Sequence, residues 1–323
     1  MQKTLFLTHD FNDPEFNLAS EEYLLKNKEE SFIYFWVNSP SVIVGVNQNA
    51  LEEVNLSFLE EKGIKIVRRL TGGGAVYHDL NNLNYTVIAP YKDGEHDFKP
   101  YAYPIIEYLR KIGLNADFSG RNDIEIDGKK ISGNAQTVYN GRVLHHGTLL
   151  FKTDLQTLND ALRPSKLKTQ SKGIKSVRAR VTNISEKLKD LSFSKFKNGI
   201  CDYFLSKCEK YQLTKKDIEE INKLKKEKYS TYEWNIGNSP KASNYFEEKF
   251  DFGVIKISFD IIDGLMQNVC INGDFFTSKP IEEFSKALNG VKWQKASVMQ
   301  AFKGIEEYIY KSSAQEIVDK LFL

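Results

Sequence analysis

The sequence predicts an α+β protein built on a mixed sheet. Three observations predict it. Short stretches rich in branched and aromatic residues recur along the chain, amphipathic helical stretches separate them at uneven intervals, and no regular strand–helix–strand repeat orders the two. A chain of 323 residues has room for a large core and a second, smaller domain.

The elements follow in order. Leu5-Phe6 leads to Asn12-Asp13-Pro14, after which FNLASEEYLLKN carries the apolar spacing of an amphipathic helix. SFIYFWV at 31–37 and SVIVGV at 41–46 flank Asn38-Ser39-Pro40, and this predicts two paired strands joined by a tight turn. A helix over 51–62 is expected to stop at Gly63, and IKIVRR then delivers two arginines to a glycine loop. NLNYTVIAP at 82–90 predicts another strand, and PIIEYLRK at 104–111 a helix with Pro104 in its first turn. Asp127-Gly128 marks a hairpin whose second arm begins with Lys129 and Lys130. VLHHGTLLF at 143–151 is a strand with an unusually polar centre.

After Pro164 the character changes. SKLKTQSKGIKSVRARV holds six basic residues, and two lysine-rich helical stretches follow near 195–210 and 215–228. From Phe252 the text GVIKISFDIIDGLMQNVCINGDFF predicts a three-stranded meander with turns at Asp263-Gly264 and Asn272-Gly273, followed by two helices. These features divide the chain into residues 1–245 and a small α+β unit at 246–323, with a hinge expected over 236–250.

Composition excludes several classes. The formal charge of +2, from 45 basic and 43 acidic residues, advertises neither nucleic acid nor an acidic membrane surface. The three cysteines form no CxxC pair, which argues against a disulfide scaffold and for a reducing compartment. The opening residues lack the apolar core of a signal peptide, and no run approaches the roughly 20 apolar residues that span a bilayer. A cytoplasmic, monomeric protein is expected.

Four polar clusters carry the chemistry: RRLTGGGAVYHD at 68–79, GRND at 120–123, KKISGNAQ at 129–136 and HHGT at 145–148. Each adjoins a predicted strand, so the expectation is convergence of Arg69, His78, Asn122, Asp123, Lys130 and His146 on one cleft. That set suits a carboxylate held beside a nucleotide phosphate, with lysine neutralising charge as phosphoryl oxygens rearrange. Taken singly the same residues also read as a glycine turn with surface arginines, a hairpin lysine and turn-capping Asn and Asp. Walker-type and GxGxxG phosphate loops, a GxSxG elbow and HExxH spacing are all absent from the sequence.

Read together, RRLTGGGAVYHD, GRNDIEIDGKKISGNAQ, HHGTLLF and SKGIKSVRARVTNI, with NLASEEYLL, SPSVIVGVNQN and INGDFF, closely resemble the bacterial lipoate-protein ligases over nearly the whole chain. The resemblance implies the fold shared with biotin-protein ligases and an ATP- and Mg²⁺-dependent reaction in two steps. Free lipoate would become lipoyl-AMP with release of pyrophosphate. The lipoyl group would then pass to a lysine of a lipoyl domain in 2-oxoacid dehydrogenase E2 subunits, or of glycine-cleavage H protein.

Carried onto this chain, the resemblance makes Lys130 the central catalytic residue. Arg69, Gly72, Gly73, Gly74, His78 and His146 would line the lipoate site. Val76, Tyr77, Asn122, Asp123, Lys172 and Arg178 would serve the adenylate side, with Asp123 toward Mg²⁺. The alternatives within reach are an octanoyltransferase or lipoyl amidotransferase, which needs a reactive cysteine, and a lipoyl-domain-binding protein without catalysis. No cysteine falls in the four clusters, and the GRGR-type signature of biotin ligases is absent.

Overall fold

A computed structural model describes residues 3–91, 97–120, 122–162, 181–236 and 244–322. Its largest feature is an eight-stranded mixed sheet. In chain order the strands are β1 (Thr4–Thr8), β2 (Ser31–Trp36), β6 (Asn82–Pro90), β7 (Ala116–Ser119), β8 (Asp123–Ile126), β9 (Lys129–Tyr139), β10 (Arg142–Leu150) and β11 (Glu209–Tyr211). In space they run β11-β1-β2-β6-β10-β9-β8-β7, with β1 parallel to both β2 and β11 and every other pair antiparallel. A second sheet of three short strands lies over one face, in the order β4 (Lys65–Arg68), β3 (Ser41–Val44), β5 (Val76–His78).

The two faces of the large sheet have different cores. Phe6, Phe35, Tyr85, Leu149 and Phe151 pack against the helices Lys99–Lys111 and Phe193–Leu205. On the opposite face Tyr34, Trp36 and Leu144 meet the helix Pro14–Asn27, here α1, together with Ile43 and Val67 of the small sheet. Burial on both faces explains why β2 reads as a continuous apolar run. α1 starts where Asp13 accepts a hydrogen bond from the Glu15 amide, with Pro14 in its first turn.

Residues from Asn244 onward form a separate hydrophobic cluster. A meander of β12 (Asn244–Phe250), β13 (Gly253–Ile262) and β14 (Leu265–Gly273) packs Ile255, Ile257 and Ile271 against helices that carry Phe284, Phe302 and Ile317.

Several expectations need correction. The strands on either side of Asn38-Ser39-Pro40 are not a hairpin, because β2 belongs to the large sheet and β3 to the small one. Asn38 is fully buried and hydrogen-bonded to Asn17 and His78, so the turn carries the chain from one sheet to the other. The helix expected from Pro104 begins at Lys99, so Pro104 lies inside it and Pro100 takes the first turn. The stretch 51–62 is broken into Ala50–Glu53 and Leu56–Lys62, between which Val54 bridges to Leu162. Gly63 does stop the second piece in the left-handed region, at φ 62°. The first meander strand begins at Asn244, upstream of the expected start. Asp263-Gly264 is a turn with both φ values positive, but Asn272-Gly273 ends β14 and is not a turn.

Candidate active site

Register decides which side chains face the cavity. Across β2, β6 and β10, Trp36 pairs with Asn84 and Asn84 with Thr148, while Tyr34 pairs with Thr86 and Thr86 with His146. All six therefore lie on the face covered by the small sheet and α1. One residue away, Tyr85, Gly147 and Asn134 stand side by side on the other face. A Cβ on Gly147 would sit 2.3 Å from Asn134 Oδ1 and 2.6 Å from the Tyr85 hydroxyl. Glycine in HHGT thus lets the Tyr85 hydroxyl donate to Asn134 Oδ1. His145 shares that buried side with Tyr101 and Phe98, and burial lowers its pKa to about 3.

The hairpin after Asp127-Gly128 forms as expected, with φ of 51° and 74° at its two turn residues. Its second arm holds a feature that spacing alone does not show. Ile124 pairs with Ser132 but Glu125 pairs with Lys130, so Ile131 is an extra residue, a β-bulge in β9. Without the bulge, Lys130 and Gly133 would point to opposite faces. With it, the Lys130 ammonium lies over Gly133, where a Cβ would come within 3.0 Å of Nζ. The same ammonium pairs with Asp123 at 2.7 Å, and both side chains are about one-third exposed. Asn122 is fixed beside them, its amide donating to the Asn134 carbonyl at 2.6 Å.

The glycine loop is held from within. Arg69 donates from Nε to Thr71 Oγ1, from one terminal nitrogen to the carbonyls of Gly72 and Gly74, and from the other to Ile43 O. Arg68 clamps the carbonyls of Gly45, Val46, Gln48, Trp234 and Asn235. Burial lowers the pKa of each arginine to about 10, where both remain cationic at neutral pH. Neither is the surface arginine of the simple-turn reading. Gly73 has φ 87° and lies so close to Gly45 that a Cβ on Gly45 would be 2.2 Å from the Gly73 carbonyl oxygen.

Behind the loop runs a buried polar chain that includes an acid missed at the sequence level. Glu21 of α1 is 2 % exposed; it accepts from Thr86 Oγ1 at 2.5 Å and pairs with His146 Nδ1 at 2.9 Å. His146 Nε2 lies 2.8 Å from Thr71 Oγ1, which also accepts from Arg69. α1 and the glycine loop are therefore tied through one imidazole. In the amphipathic run NLASEEYLL, Glu21 looks like an ordinary solvated-face residue. Only its helical phase relative to Leu18 and Leu25 could have placed it inward.

These elements enclose a cavity of about 350 Å³. It brings together Arg69, Gly73, Gly74, Val76, His78, Asn122, Asp123, Lys130 and His146, which gathers all four sequence clusters at one place. Tyr77 points the other way, into an apolar cluster with Val42, Val44 and Leu158. Gly72 faces the small domain, where a Cβ would be 2.3 Å from Phe275 O. Lys172 and Arg178 lie outside the described residues. Asp274 joins the cavity wall from the far end of the chain, which local pattern could not reveal. It is carried there by INGDFF: the Gly273 amide donates to Asn47 O and the Gly73 amide to Phe275 O, while Phe276 packs on Phe98.

A part-exposed cation and carboxylate, with Leu18, Trp36 and Ile43 beside His78 and Asn84 on the buried wall, suit an enzyme that holds an acyl chain while its carboxyl end reacts. Residues 13–205 match the lipoyl protein ligase A/B catalytic domain and residues 239–321 the bacterial lipoate protein ligase C-terminus, so the chain belongs to the lipoate-protein ligase family. It is 39% identical to lipoate-protein ligase LplJ of Bacillus subtilis over 97% of this chain and 98% of that protein. The structure of P. falciparum LipL1 in complex with lipoate superposes with a TM-score of 0.82 at 26% identity, covering 98% of each chain. A crystal structure of lipoate-protein ligase A bound with ATP matches 73% of this chain and 98% of its own, with a TM-score of 0.62 and 30% identity.

Proposed function

We propose that this enzyme is an ATP-dependent lipoate-protein ligase, and the observation that carries the reading is Lys130. Among the described residues it is the lysine on the cavity wall, aimed there by the bulge at Ile131. With the acyl chain in the buried end, the lipoate carboxylate lies at the mouth and attacks the α-phosphorus of ATP. Pyrophosphate leaves and lipoyl-AMP forms. The Lys130 ammonium offsets the negative charge that builds on the phosphoryl oxygens, and later the charge on the departing AMP. The amine of an acceptor lysine attacks the activated carbonyl, AMP departs, and the amide remains.

Gly73 and Gly74 leave room for the acyl chain, and Arg69 holds the carbonyls of Gly72 and Gly74 in place. Asn122 and Asp123 serve the nucleotide side, joined by the backbone near Val76 and Tyr77 and by Lys172 and Arg178. Mg²⁺ bound mainly through phosphate oxygens needs only one or two protein carboxylates. Asp123, at the mouth, suits that role, and the ion would supply charge neutralisation on the phosphates. Residues 1–245 act as the catalytic unit and 246–323 as an accessory unit. The acceptors are E2 lipoyl domains and glycine-cleavage H protein, and the protein works as a cytoplasmic monomer. Among the described residues, no helix is long and apolar enough to cross a membrane.

The thioester alternative finds no support in the cysteines. Cys201 is buried with its thiol pushed up to about 11, Cys208 and Cys270 are also raised by burial, and none lines the cavity. Incubation with a lipoyl domain separates the two readings. Modification that requires ATP and free lipoate supports the ligase, whereas transfer from an octanoylated carrier protein without ATP would overturn it.

A further inference from the structure

The closed end of the cavity carries two hydrogen-bonding groups that an aliphatic tail cannot satisfy. His78 is 3 % exposed and Asn84 is 1 % exposed, and both line the cavity near Trp36, Leu18 and Ile43. His78 Nε2 and Asn84 Nδ2 are buried with no hydrogen-bond partner.

In the structure each group is oriented by a hydrogen bond on its other polar atom. Asn17 Nδ2 donates to the backbone carbonyls of Phe11 and Val37 and to Asn38 Oδ1, which leaves the Asn38 amide nitrogen facing His78 Nδ1 at 3.1 Å. His78 Nδ1 is thereby the acceptor, and its proton is on Nε2. Burial and the neighbouring Arg69 lower the His78 pKa to about 3, which keeps the ring neutral. Asn84 Oδ1 accepts from Asn82 Nδ2 at 2.8 Å, leaving the Asn84 amide nitrogen as the free end. Two donors cannot satisfy each other, and an unpaired buried donor is costly.

Resting on the ligase reading above, we infer that His78 and Asn84 recognise the ring sulfurs of a dithiolane as soft acceptors, making them selectivity residues for lipoate over a plain fatty acid of equal length. Lys130 and Asp123 mark the open mouth, so a bound acyl chain runs inward and ends at this pair. Divalent sulfur, in a cyclic disulfide as in a thioether, is a weak acceptor. The discrimination therefore comes as much from leaving the donors unpaired with a hydrocarbon tail as from the bond to sulfur.

The test measures acceptor-free pyrophosphate release with lipoate, octanoate and 5-cyclopentylpentanoate, whose ring keeps the dithiolane shape without sulfur. The wild-type enzyme is expected to prefer lipoate to the carbocycle by roughly threefold to tenfold in kcat/KM. Asn84→Leu should lower kcat/KM for lipoate and raise it for the carbocycle, so that the ratio falls. Equal use of lipoate and carbocycle by the wild type overturns the inference, and that arm needs no variant to fold. A parallel loss on all three acids in Asn84→Leu also overturns it, since a purely structural asparagine would act so. No pyrophosphate from any acid with ATP would sink the ligase reading itself, a result distinct from loss of selectivity.

Discussion

At the scale of single residues, the site depends on a buried acid behind the cavity wall. Glu21 accepts from Thr86 and pairs with His146, and His146 passes that constraint through Thr71 to Arg69 and the glycine loop. Glu21→Gln keeps the volume but replaces an all-acceptor group with one that also carries donors. The expected result is a loss of roughly 1–3 kcal/mol in unfolding free energy, from leaving a buried group mispaired, together with weaker lipoate binding. Urea titration and the KM for lipoate check both. Unchanged stability would show that the Glu21 network is dispensable.

At the scale of elements, two glycines in adjacent strands make opposite predictions. Gly147→Ala places a Cβ 2.3 Å from Asn134 Oδ1 and against the Tyr85 ring, both fixed inside the core. It should cost about 1–3 kcal/mol or more of stability. Gly133→Ala meets only the mobile end of Lys130, at 3.0 Å from Nζ. It should leave the urea midpoint nearly unchanged while displacing the ammonium and slowing adenylation. If the two variants behaved alike, the assignment of Gly147 to packing and Gly133 to positioning would fail.

The bulge that makes this distinction was not legible in KKISGNAQ, because an extra residue in one strand shows only when its partner strand is known. The hairpin turn at Asp127-Gly128 was legible, since its chemistry is local. Asn38-Ser39-Pro40 has turn composition and makes a turn, but composition does not say whether the flanking strands pair. β11 escaped notice for a related reason: three residues between two helices form a strand only because β1 offers an open edge.

At the scale of the whole molecule, burial of neutral histidines links stability to pH. Burial lowers the pKa of His9 to about 4 and of His78 and His145 to about 3, all from 6.5. A folded-state pKa below the unfolded value gives stability that is complete above pH 6.5 and is lost as pH falls toward the folded value. Near pH 5 the unfolded chain binds three more protons on these rings than the native one, a slope of about 4 kcal/mol per pH unit. Urea midpoints measured from pH 7 to pH 4.5 should fall steeply below pH 6.5, and a flat profile would contradict the assigned burial.

The site was legible at this scale in part. Four sequence clusters met at one cavity because each carried its own local signal of arginine, glycine, histidine or lysine beside a strand. Asp274 carried none, since it reaches the wall only through packing of the small domain on Asn47 and Gly73.

The central claim is that one cavity activates lipoate on ATP with Lys130 as the charge-stabilising group. Pyrophosphate release in the absence of any acceptor protein tests it most directly. With lipoate, ATP and Mg²⁺ the wild type should release pyrophosphate and accumulate lipoyl-AMP, and Lys130→Ala should do so about 10²- to 10³-fold more slowly while keeping its circular dichroism spectrum. Release that requires the acceptor, or a folded Lys130→Ala variant with near wild-type rate, would contradict the account.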